Sequence, residues 1–498
     1  MNLAQYLVAS SIDQGDQPAI TCGSDSWSYS ALDDASARVS TLLSELGVTP
    51  GSRVGIMLPN VPEFAAIYYG VLRAGAVVVP MNPLLKAREV AYHLTDSEAS
   101  LLFAGGGAES DAAKGAAEAG TRLFVVEPAG LREQLQLLPP APGVAERDGG
   151  DTAVILYTSG TTGRPKGAEL THANLATNAD VVRRTLLRLT HDDVVFGGLP
   201  LFHSFGQTCA LNAAIAAGAC VALLPRFTAQ GALATIESQR VTVFAGVPTM
   251  YSALLSLPER VGYDASSLRV CISGGAALPV EVLRRFEQEF ECMILEGYGL
   301  SETSPVAAFN HPDRVRKPGS IGTAVEGVEL KVVDLNGSDL PPGEVGEIAV
   351  RGHNIMKGYW RRPDATSEAI RDGWFLTGDM GRIDDDGYFS IVDRRKDLII
   401  RGGYNVYPRE VEEVLYEHPA VAEAAVIGVP HPDLGEEVTA VVALSSPESA
   451  TAEELRDYVK SQLAAYKYPR EVRIVDQLPK GPTGKILKRE LRAERTEA

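Results

Sequence analysis

The sequence predicts an α/β protein with a large N-terminal domain and a small α+β domain at the C-terminus. Helical patterns alternate with short Val/Ile/Leu-rich runs through most of the 498 residues. After about residue 323 the pattern changes to short strands among Gly, Pro and Asp, and the segment after residue 393 carries helices and strands with their own apolar faces. Alternation of this kind favours largely parallel sheets covered by helices.

The N-terminal domain, residues 1–393, is predicted to consist of layered α/β subdomains followed by a β-rich subdomain. Short apolar runs bounded by turn residues indicate buried strands. These runs are RVGIML (53–58), AVVVP (76–80), LLFAG (101–105), AVILY (153–157), CVALL (220–224) and RVCIS (269–273). Residues 138–151 form a Pro- and Gly-containing linker, and residues 323–387, with VELKVVD and GEIAVRG, form the β-rich subdomain.

The string YTSGTTGRPKG (157–167) has the composition of a phosphate-binding loop. Its glycines allow successive backbone N–H groups to turn inward, its hydroxyls add donors, and Lys166 adds a cation suited to phosphate. A buried strand precedes the loop and a helix with Thr171 as N-cap follows it, which is the usual setting for nucleotide phosphates. The loop is not a Walker A motif, because Gly167 stands where that motif has Ser or Thr.

Further strings carry polar groups suited to a nucleotide, although each alone is weak. In YGLSETS (298–304), Glu302 suits Mg²⁺ and Tyr298 suits a base, and SGGAALP (273–279) offers a glycine turn at a strand end. In WFLTGDMG (374–381), Asp379 suits the hydroxyls of a ribose, and Arg394 suits a ribose or a phosphate. The alternative for each is a surface turn or ion pair, and for His203 in LFHSFGQ it is a packed core histidine.

Composition excludes several classes of protein. The net charge of −18 argues against non-specific binding to nucleic acid or to anionic membranes. The five scattered cysteines, with no C-x-x-C pair, indicate reduced thiols, and we expect a cytoplasmic protein. No run approaches the length of a membrane span, while peripheral membrane contact stays open. Histidine spacing gives no zinc motif, and no G-x-S-x-G elbow supports a serine hydrolase.

The C-terminal domain, residues 394–498, is predicted to be a compact α+β module. Its helices are REVEEVLYEH and AEELRDYVKSQL, its strands are VAEAAVIGVP, EVTAVVAL and REVRIVD, and it ends in the basic tail LPKGPTGKILKREL. The charged stretch DRRKDLIIRGG (393–403) suits a hinge at the boundary.

Taken together, six strings resemble the motifs of the adenylate-forming superfamily, which includes acyl-CoA synthetases, coumarate–CoA ligases, adenylation domains and firefly luciferase. In chain order they are YTSGTTGRPKG, LFHSFG, YGLSETS, LTGD, DRRKDLIIRGGYNVYPREVE and PTGKILKREL. The resemblance spans nearly the whole chain and is greatest to bacterial fatty acid–CoA ligases. It implies an acid–thiol ligase that uses ATP, Mg²⁺ and CoA: a carboxylate attacks the α-phosphate of ATP to give acyl-AMP and pyrophosphate, and a thiol then takes the acyl group.

The resemblance also implies roles for individual residues. Ser301 and Glu302 serve the α-phosphate and Mg²⁺, although many relatives have threonine at the position of Ser301. Lys485 bridges the carboxylate and α-phosphate oxygens and, with His203, Thr158 and Glu302, forms the predicted catalytic set. The residues predicted to bind the nucleotide are, for the triphosphate, Thr158, Ser159, Gly160, Thr161, Thr162, Gly163 and Lys166; for the adenine region, Gly275, Ala276, Ala277, Glu296, Gly297, Tyr298 and Gly299; and for the ribose, Asp379 and Arg394.

A mobile C-terminal domain follows from the same resemblance, because the two half-reactions need different surfaces. Lys396 matches the hinge about which that domain rotates in the family. After rotation, Gly402 and Gly403 of RGGYN are expected beside the pantetheine tunnel, and His203 is expected to gate entry of the thiol.

The predicted acid pocket is apolar or lined by small residues. Its members are His203, Phe205, Cys209, Ile272, Gly297, Gly299, Pro305 and Val306. Ile272 stands where coumarate–CoA ligases often have lysine, and Gly297 and Ala253 stand where malonyl-CoA synthetases have arginines. We therefore predict a monocarboxylic acid with an apolar tail, most readily a medium- or long-chain fatty acid, and expect Gly297→Leu to shift preference to shorter acids.

Three alternatives stay open at this point. An aryl acid could replace the fatty acid, and the phosphopantetheine of an acyl carrier protein could replace CoA. The chain has no obvious inserted segment of the kind found in fatty acyl-AMP ligases, which favours CoA. A non-catalytic nucleotide-binding protein is disfavoured by the presence of Lys166, Glu302, Asp379 and Lys485. A homodimer is neither required nor excluded.

Overall fold

Two large sheets with parallel centres form the body of the N-terminal domain. The computed structural model describes residues 1–158, 164–334, 336–394, 397–446, 449–481 and 484–493. Its strands are β1 Pro18–Cys22, β2 Asp25–Ser28, β3 Arg53–Met57, β4 Val77–Pro80, β5 Ala99–Gly105, β6 Arg122–Val126, β7 Thr152–Thr158, β8 Lys166–Thr171, β9 Val194–Gly197, β10 Cys220–Leu223, β11 Val243–Gly246, β12 Val270–Ser273, β13 Met293–Gly299, β14 Val306–Phe309, β15 Thr323–Ala324, β16 Val328–Val333, β17 Gly346–Gly352, β18 Gly358–Tyr359, β19 Ile370–Arg371, β20 Trp374–Ile383, β21 Phe389–Arg394, β22 Ile399–Arg401, β23 Tyr404–Val406, β24 Val421–His431, β25 Gly435–Leu444 and β26 Glu471–Val475.

Helices cover these sheets. They are α1 Gln5–Gln14, α2 Tyr29–Glu45, α3 Pro62–Arg73, α4 Ala87–Ser97, α5 Glu109–Ala119, α6 Pro128–Gln136, α7 His172–Val181, α8 Ala213–Ala217, α9 Ala229–Gln239, α10 Pro248–Ser256, α11 Val280–Phe290, α12 Pro363–Ala369, α13 Pro408–Tyr416, α14 Ala452–Gln462 and α15 Lys488–Ala493. Two π-helical segments, Val182–Leu186 and Gly206–Asn212, and two 3₁₀ turns, Pro258–Gly262 and Ser301–Thr303, complete the described helical structure.

The first two sheets confirm the predicted α/β class. A seven-stranded sheet has the order β18-β8-β7-β4-β3-β5-β6, and a nine-stranded sheet has the order β15-β14-β13-β12-β11-β9-β10-β1-β2. Pairing is parallel from β7 to β6 and from β13 to β1, and the antiparallel strands lie at the edges. Strands β4, β11 and β12 are buried along their whole length, as expected for apolar runs covered on both faces.

The phosphate-loop motif differs in one respect from the predicted strand–loop–helix arrangement. Strand β8 lies between the loop and the helix, and it pairs antiparallel with β7 so that Thr158 faces Lys166. Helix α7 follows with Thr171 as its N-cap, whose Oγ1 accepts the N–H of Asn174 at 3.1 Å. Strands β7 and β8, on either side of the motif, are therefore antiparallel partners, and α7 begins at the far end of β8.

The β-rich subdomain and the C-terminal domain also form the predicted elements. Strands β16, β17, β20 and β19 form a five-stranded sheet with β21, and β23, β22, β25 and β24 form another with β26. The C-terminal helices and strands coincide with the five predicted segments to within two residues. The apolar clusters built from residues 399 onward are separate from those built from residues 3–389, and the boundary near residue 393 stays a prediction.

Among the described residues, no helix combines the length and the apolar character that crossing a membrane requires.

Candidate active site

A cleft of about 2330 Å³ brings together residues from both ends of the chain. It lies at the carboxyl ends of β7, β12 and β13, where open α/β sheets usually bind ligands. The predicted residues on its wall are Thr158, Lys166, His203, Phe205, Gly275, Ala276, Ala277, Glu296, Gly297, Tyr298, Gly299, Ser301, Glu302, Asp379 and Lys485.

Glu302 is the centre of a hydrogen-bonded group at the phosphate end of the cleft. Its side chain is buried, and its Oε1 accepts hydrogen bonds from Thr158 Oγ1 and from the Tyr359 hydroxyl, both at 3.0 Å. Both bonds reach the same oxygen, so Oε2 is the oxygen that a ligand can use. One carboxylate oxygen beside the phosphates of a nucleotide fits the hard, oxygen-rich coordination of Mg²⁺.

The predicted ribose residue is held by the predicted adenine residue. The Tyr298 hydroxyl donates to Asp379 Oδ2 at 2.6 Å, and Asp379 is buried at a bend of β20. In the antiparallel pair of β20 and β21, the backbone of Asp379 faces that of Arg394. This places a base-stacking ring and a hydroxyl-binding carboxylate in direct contact, a suitable arrangement for a nucleoside.

His203 is fully inside the cleft and uncharged. Burial, with the positive charge of Lys485 as a second cause, lowers the pKa of His203 to about 4. Its Nδ1 accepts the N–H of Phe205 at 3.2 Å, so the proton of the neutral ring lies on Nε2. The ring can therefore donate one hydrogen bond to a carboxylate without a charge of its own.

Lys485 enters the cleft on a turn that is fixed to the N-terminal domain. The carbonyl of Gly484 accepts a hydrogen bond from Thr249 Oγ1 at 3.1 Å, and the carbonyl of Lys485 accepts one from Gly481 N at 2.8 Å. Gly484 has φ of +75°, and a Cβ there would lie 2.7 Å from Thr249 Oγ1. Only glycine allows this close contact between the two domains.

A second contact between the domains involves Arg409 of α13. Its guanidinium donates to the carbonyl oxygens of Ile391 and Gly319, at 2.7 and 3.3 Å, and lies 4.0 Å from Glu296. Burial raises the pKa of Glu296 to about 7, although Arg409 opposes the shift. Glu413, one turn further along α13, accepts the N–H of Val280 at 3.4 Å.

Some predicted acid-pocket residues do not reach the cleft wall. Cys209, Ile272 and Val306 are buried at 0–3% exposure, and neither they nor Pro305 lies among the described lining residues. Phe205, in contrast, lines the cleft. The contact of the other four residues with an acid stays a prediction.

The space available at Gly297 contradicts one expectation. A Cβ at this position would lie 2.0–2.3 Å from ring atoms of Phe309, the residue directly opposite on β14. The ring of Phe309 therefore occupies the volume in which a leucine at 297 was expected to shorten the pocket. Pattern matching located the glycine correctly, but it carried no information about the residue across the sheet.

Other predicted residues lie elsewhere or outside the described part of the chain. Gly402 and Gly403 form the turn between β22 and β23, away from the described cleft wall, and Gly402 N donates to Leu434 O at 2.7 Å. Ser159, Gly160, Thr161, Thr162, Gly163 and Lys396, and the side chain of Arg394, lie outside the described residues.

Sequence reasoning missed two residues that contact the predicted ones. Tyr359 follows a glycine in MKGYW, and Arg409 follows a proline in NVYPRE; neither string has a chemical pattern of its own. Tyr359 is brought to the site by the pairing of β18 with β8, the strand that carries Lys166, and this pairing is not encoded in either local sequence.

Comparison with known proteins shows the family to which this chain is related. Residues 9–360 match the family described as AMP-binding enzyme, and residues 410–485 match its C-terminal domain. A feruloyl-CoA synthase of Amycolatopsis sp. is 40% identical over 476 residues, covering 95% of each chain. A long-chain-fatty-acid–CoA ligase of Bacillus subtilis (strain 168) is 38% identical over 511 residues, covering 94% of this chain and 90% of the relative.

Solved structures of MatB from Rhodopseudomonas palustris, 37% identical, cover 100% of this chain and 99% of their own. The ATP-bound form superimposes with a TM-score of 0.92 and the apo form with 0.81. The arrangement seen here is thus more similar to the ATP-bound form of that relative.

Proposed function

Because the chain belongs to the AMP-binding enzyme family, we propose that it is an ATP-dependent acid–CoA ligase acting on a monocarboxylic acid with an apolar tail. The observation that carries this proposal is the convergence of Lys485, His203 and Glu302 on one cleft. In sequence these residues lie far apart, and a nucleotide site without acid chemistry has no need of the first two.

In the first half-reaction, a carboxylate oxygen of the acid attacks the α-phosphorus of ATP and pyrophosphate leaves. Lys485 donates to the carboxylate and α-phosphate oxygens, where its charge stabilises the transition state. Neutral His203 orients the acid through Nε2–H. Tyr298 and Asp379 hold the nucleoside, and Thr158 and Lys166 hold the phosphates. Mg²⁺ bound through Glu302 would offset the negative charge of the departing pyrophosphate.

In the second half-reaction, the sulfur of CoA attacks the acyl carbonyl and AMP leaves with the bonding electrons. Lys485 has no role in this step, and Gly402 and Gly403 are not among the described cleft-lining residues in this arrangement. The similarity to the ATP-bound relative supports the view that the chain is arranged here for the first step. Rotation about Lys396 exchanges the two surfaces.

The nature of the acid follows from the wall of the cleft near His203. The described lining there includes Leu199, Pro200, Phe205 and Val247, with the glycines of β13 opposite. Lys485, the described cation whose charge acts on His203, is assigned to the reacting carboxylate, so a second carboxylate would be buried without a counter-ion of its own, which is costly. A monocarboxylic acid with an apolar tail fits this wall, and fatty acids are the first candidates.

An aryl acid with a polar substituent is the second candidate, and one observation favours it. The amide of Gln207, two residues after Phe205, is fully buried, and neither its nitrogen nor its oxygen has a hydrogen-bond partner among the described residues. A buried amide without partners is costly and invites a polar group. The 40% identical relative is named for feruloyl-CoA.

A panel of acids tests the proposal. The protein would be incubated with ATP, Mg²⁺, CoA and acids from acetate to palmitate, with cinnamate, ferulate and malonate, and thioesters would be identified by mass spectrometry. Thioesters from fatty acids support the first candidate, and a preference for ferulate supports the second. Efficient use of malonate would refute the apolar pocket. If acyl-AMP accumulates without thioester, the acceptor is a carrier protein and not CoA.

A further inference from the structure

We propose that Tyr359 is the positioning residue of the metal–nucleotide site: it fixes Glu302 with one oxygen free for the metal and keeps Lys166 from pairing with that carboxylate. The inference rests on the proposed function, because it assigns a task within the same nucleotide site.

The hydroxyl of Tyr359 sets the direction of the Glu302 carboxylate. It donates to Oε1 at 3.0 Å, and Thr158 Oγ1 donates to the same oxygen at 3.0 Å. Glu302 is only 8% exposed, so these two bonds take the place of hydrogen bonds from water. With two donors on Oε1, the plane of the carboxylate is fixed and Oε2 is presented to the cleft.

The ring of Tyr359 holds the phosphate-binding cation. The ammonium nitrogen of Lys166 lies 5.2 Å from the ring centroid, within the range of a cation–π contact. In the described part of the chain, Lys166 has no carboxylate within 4.0 Å. The ring thus contacts the cation while the hydroxyl of the same side chain holds the anion.

The backbone makes this arrangement rigid. Tyr359 lies opposite Ala168 in the β18–β8 pair, and Trp360 N donates to Gly167 O at 2.7 Å. On the other side of the tyrosine, Met356 N donates to Glu302 O at 2.9 Å. The ring is therefore attached to the strand of Lys166 and to the turn of Glu302.

A Lys166–Glu302 ion pair would occupy both groups before the nucleotide arrives, and its rupture would weaken binding. By separating the two charges, Tyr359 leaves the cation for the phosphates and Oε2 for the metal. Loss of the hydroxyl alone should weaken binding of the metal. Loss of the whole ring should weaken binding of both the metal and the nucleotide phosphates.

Two variants separate these effects. Tyr359→Phe keeps the ring and removes the hydroxyl, and Tyr359→Leu removes both. The matched control is Tyr388→Phe: the Tyr388 hydroxyl donates to Val315 O at 2.5 Å and Lys317 lies 4.5 Å from its ring, but it is not among the described cleft-lining residues.

The measurements are Mn²⁺ binding by electron paramagnetic resonance in the presence of α,β-methylene-ATP, and binding of that nucleotide in EDTA by calorimetry. We expect Tyr359→Phe to weaken Mn²⁺ binding about five- to tenfold, the value of one hydrogen bond, with metal-free nucleotide binding unchanged. Tyr359→Leu should weaken both, and Tyr388→Phe neither.

Unchanged Mn²⁺ binding in folded Tyr359→Phe would overturn the inference, and so would equal loss in the Tyr388→Phe control. Failure of the wild-type protein to form any thioester would count against the proposed function only, because the binding measurements need no acid.

Discussion

At the scale of single residues, motif matching located the cleft but not the direction of its side chains. Thr158, Tyr298, Asp379 and Lys485 were identified by neighbouring residues in the sequence, and all four line the cleft. Cys209 and Val306 were predicted to line the pocket in the same way, but both are buried and neither is among the described lining residues. A one-residue difference turns a side chain to the other face of a strand, and a string of letters does not record what lies opposite.

The contact between Gly297 and Phe309 gives a prediction at this scale. Gly297→Ala adds a Cβ that would overlap the Phe309 ring, so it should lower the free energy of unfolding by about 1–3 kcal/mol. Phe309→Ala leaves a cavity, and the double variant should be more stable than the sum of the two losses predicts. Urea unfolding of the three variants measures the coupling. Strict additivity would show that the ring does not occupy this space.

At the scale of elements, most strands were predictable because apolar runs between turn residues are unambiguous. Strand β8 was missed, although Ala168 and Leu170 alternate with outward Glu169, because its beginning reads as part of the glycine loop. The pairing of β18 with β8 was not predictable either, because the two strands are separated by nearly half of the N-terminal domain. Contacts between such distant segments depend on tertiary packing, which local patterns do not encode.

Glu296, at the contact between β13 and α13, predicts how the stability of the fold depends on pH. In the folded protein the pKa of Glu296 is raised to about 7 from the ordinary glutamate value of 4.5, which applies to the unfolded chain. Between these pH values the native state therefore binds more protons than the unfolded state. The stability that this proton provides is present below about pH 4.5 and is lost as the pH rises to about 7. Arg409 and Glu413 are the charged groups that face the carboxyl.

Glu296→Gln removes this titration. The melting temperature of the variant relative to wild type should therefore rise between about pH 5 and pH 7, and level off above that range. Glu344→Gln, at an exposed turn, is the control and should show a constant difference. A constant difference for Glu296→Gln as well would mean that its carboxyl is charged throughout.

At the scale of the whole molecule, the separate apolar clusters of the two domains were foreseeable from composition, but their relative arrangement was not. Lys485 reaches the cleft through a glycine contact at Thr249, which no pattern in either segment predicts. Under the proposed function this arrangement suits the first half-reaction, so the two half-reactions should respond differently to loss of Lys485.

Lys485→Ala should therefore reduce acid-dependent ATP–pyrophosphate exchange by about 10²–10³-fold and spare thioester formation from supplied acyl-AMP and CoA. Lys480→Ala is the matched control, because Lys480 lies on the same segment and pairs with Glu423 at 2.6 Å, but is not itself among the described cleft-lining residues. Equal loss of both half-reactions in Lys485→Ala would contradict the division of labour between the two surfaces.

The central claim is that the acid is activated as an acyl-adenylate in this cleft. The most direct measurement uses an acid labelled with ¹⁸O in both carboxylate oxygens, together with ATP, Mg²⁺ and CoA, and determines the label in the products by mass spectrometry. Attack of the carboxylate on the α-phosphorus leaves one labelled oxygen in AMP and one in the thioester. Thioester formed with unlabelled AMP, or with ADP and labelled phosphate, would contradict the account.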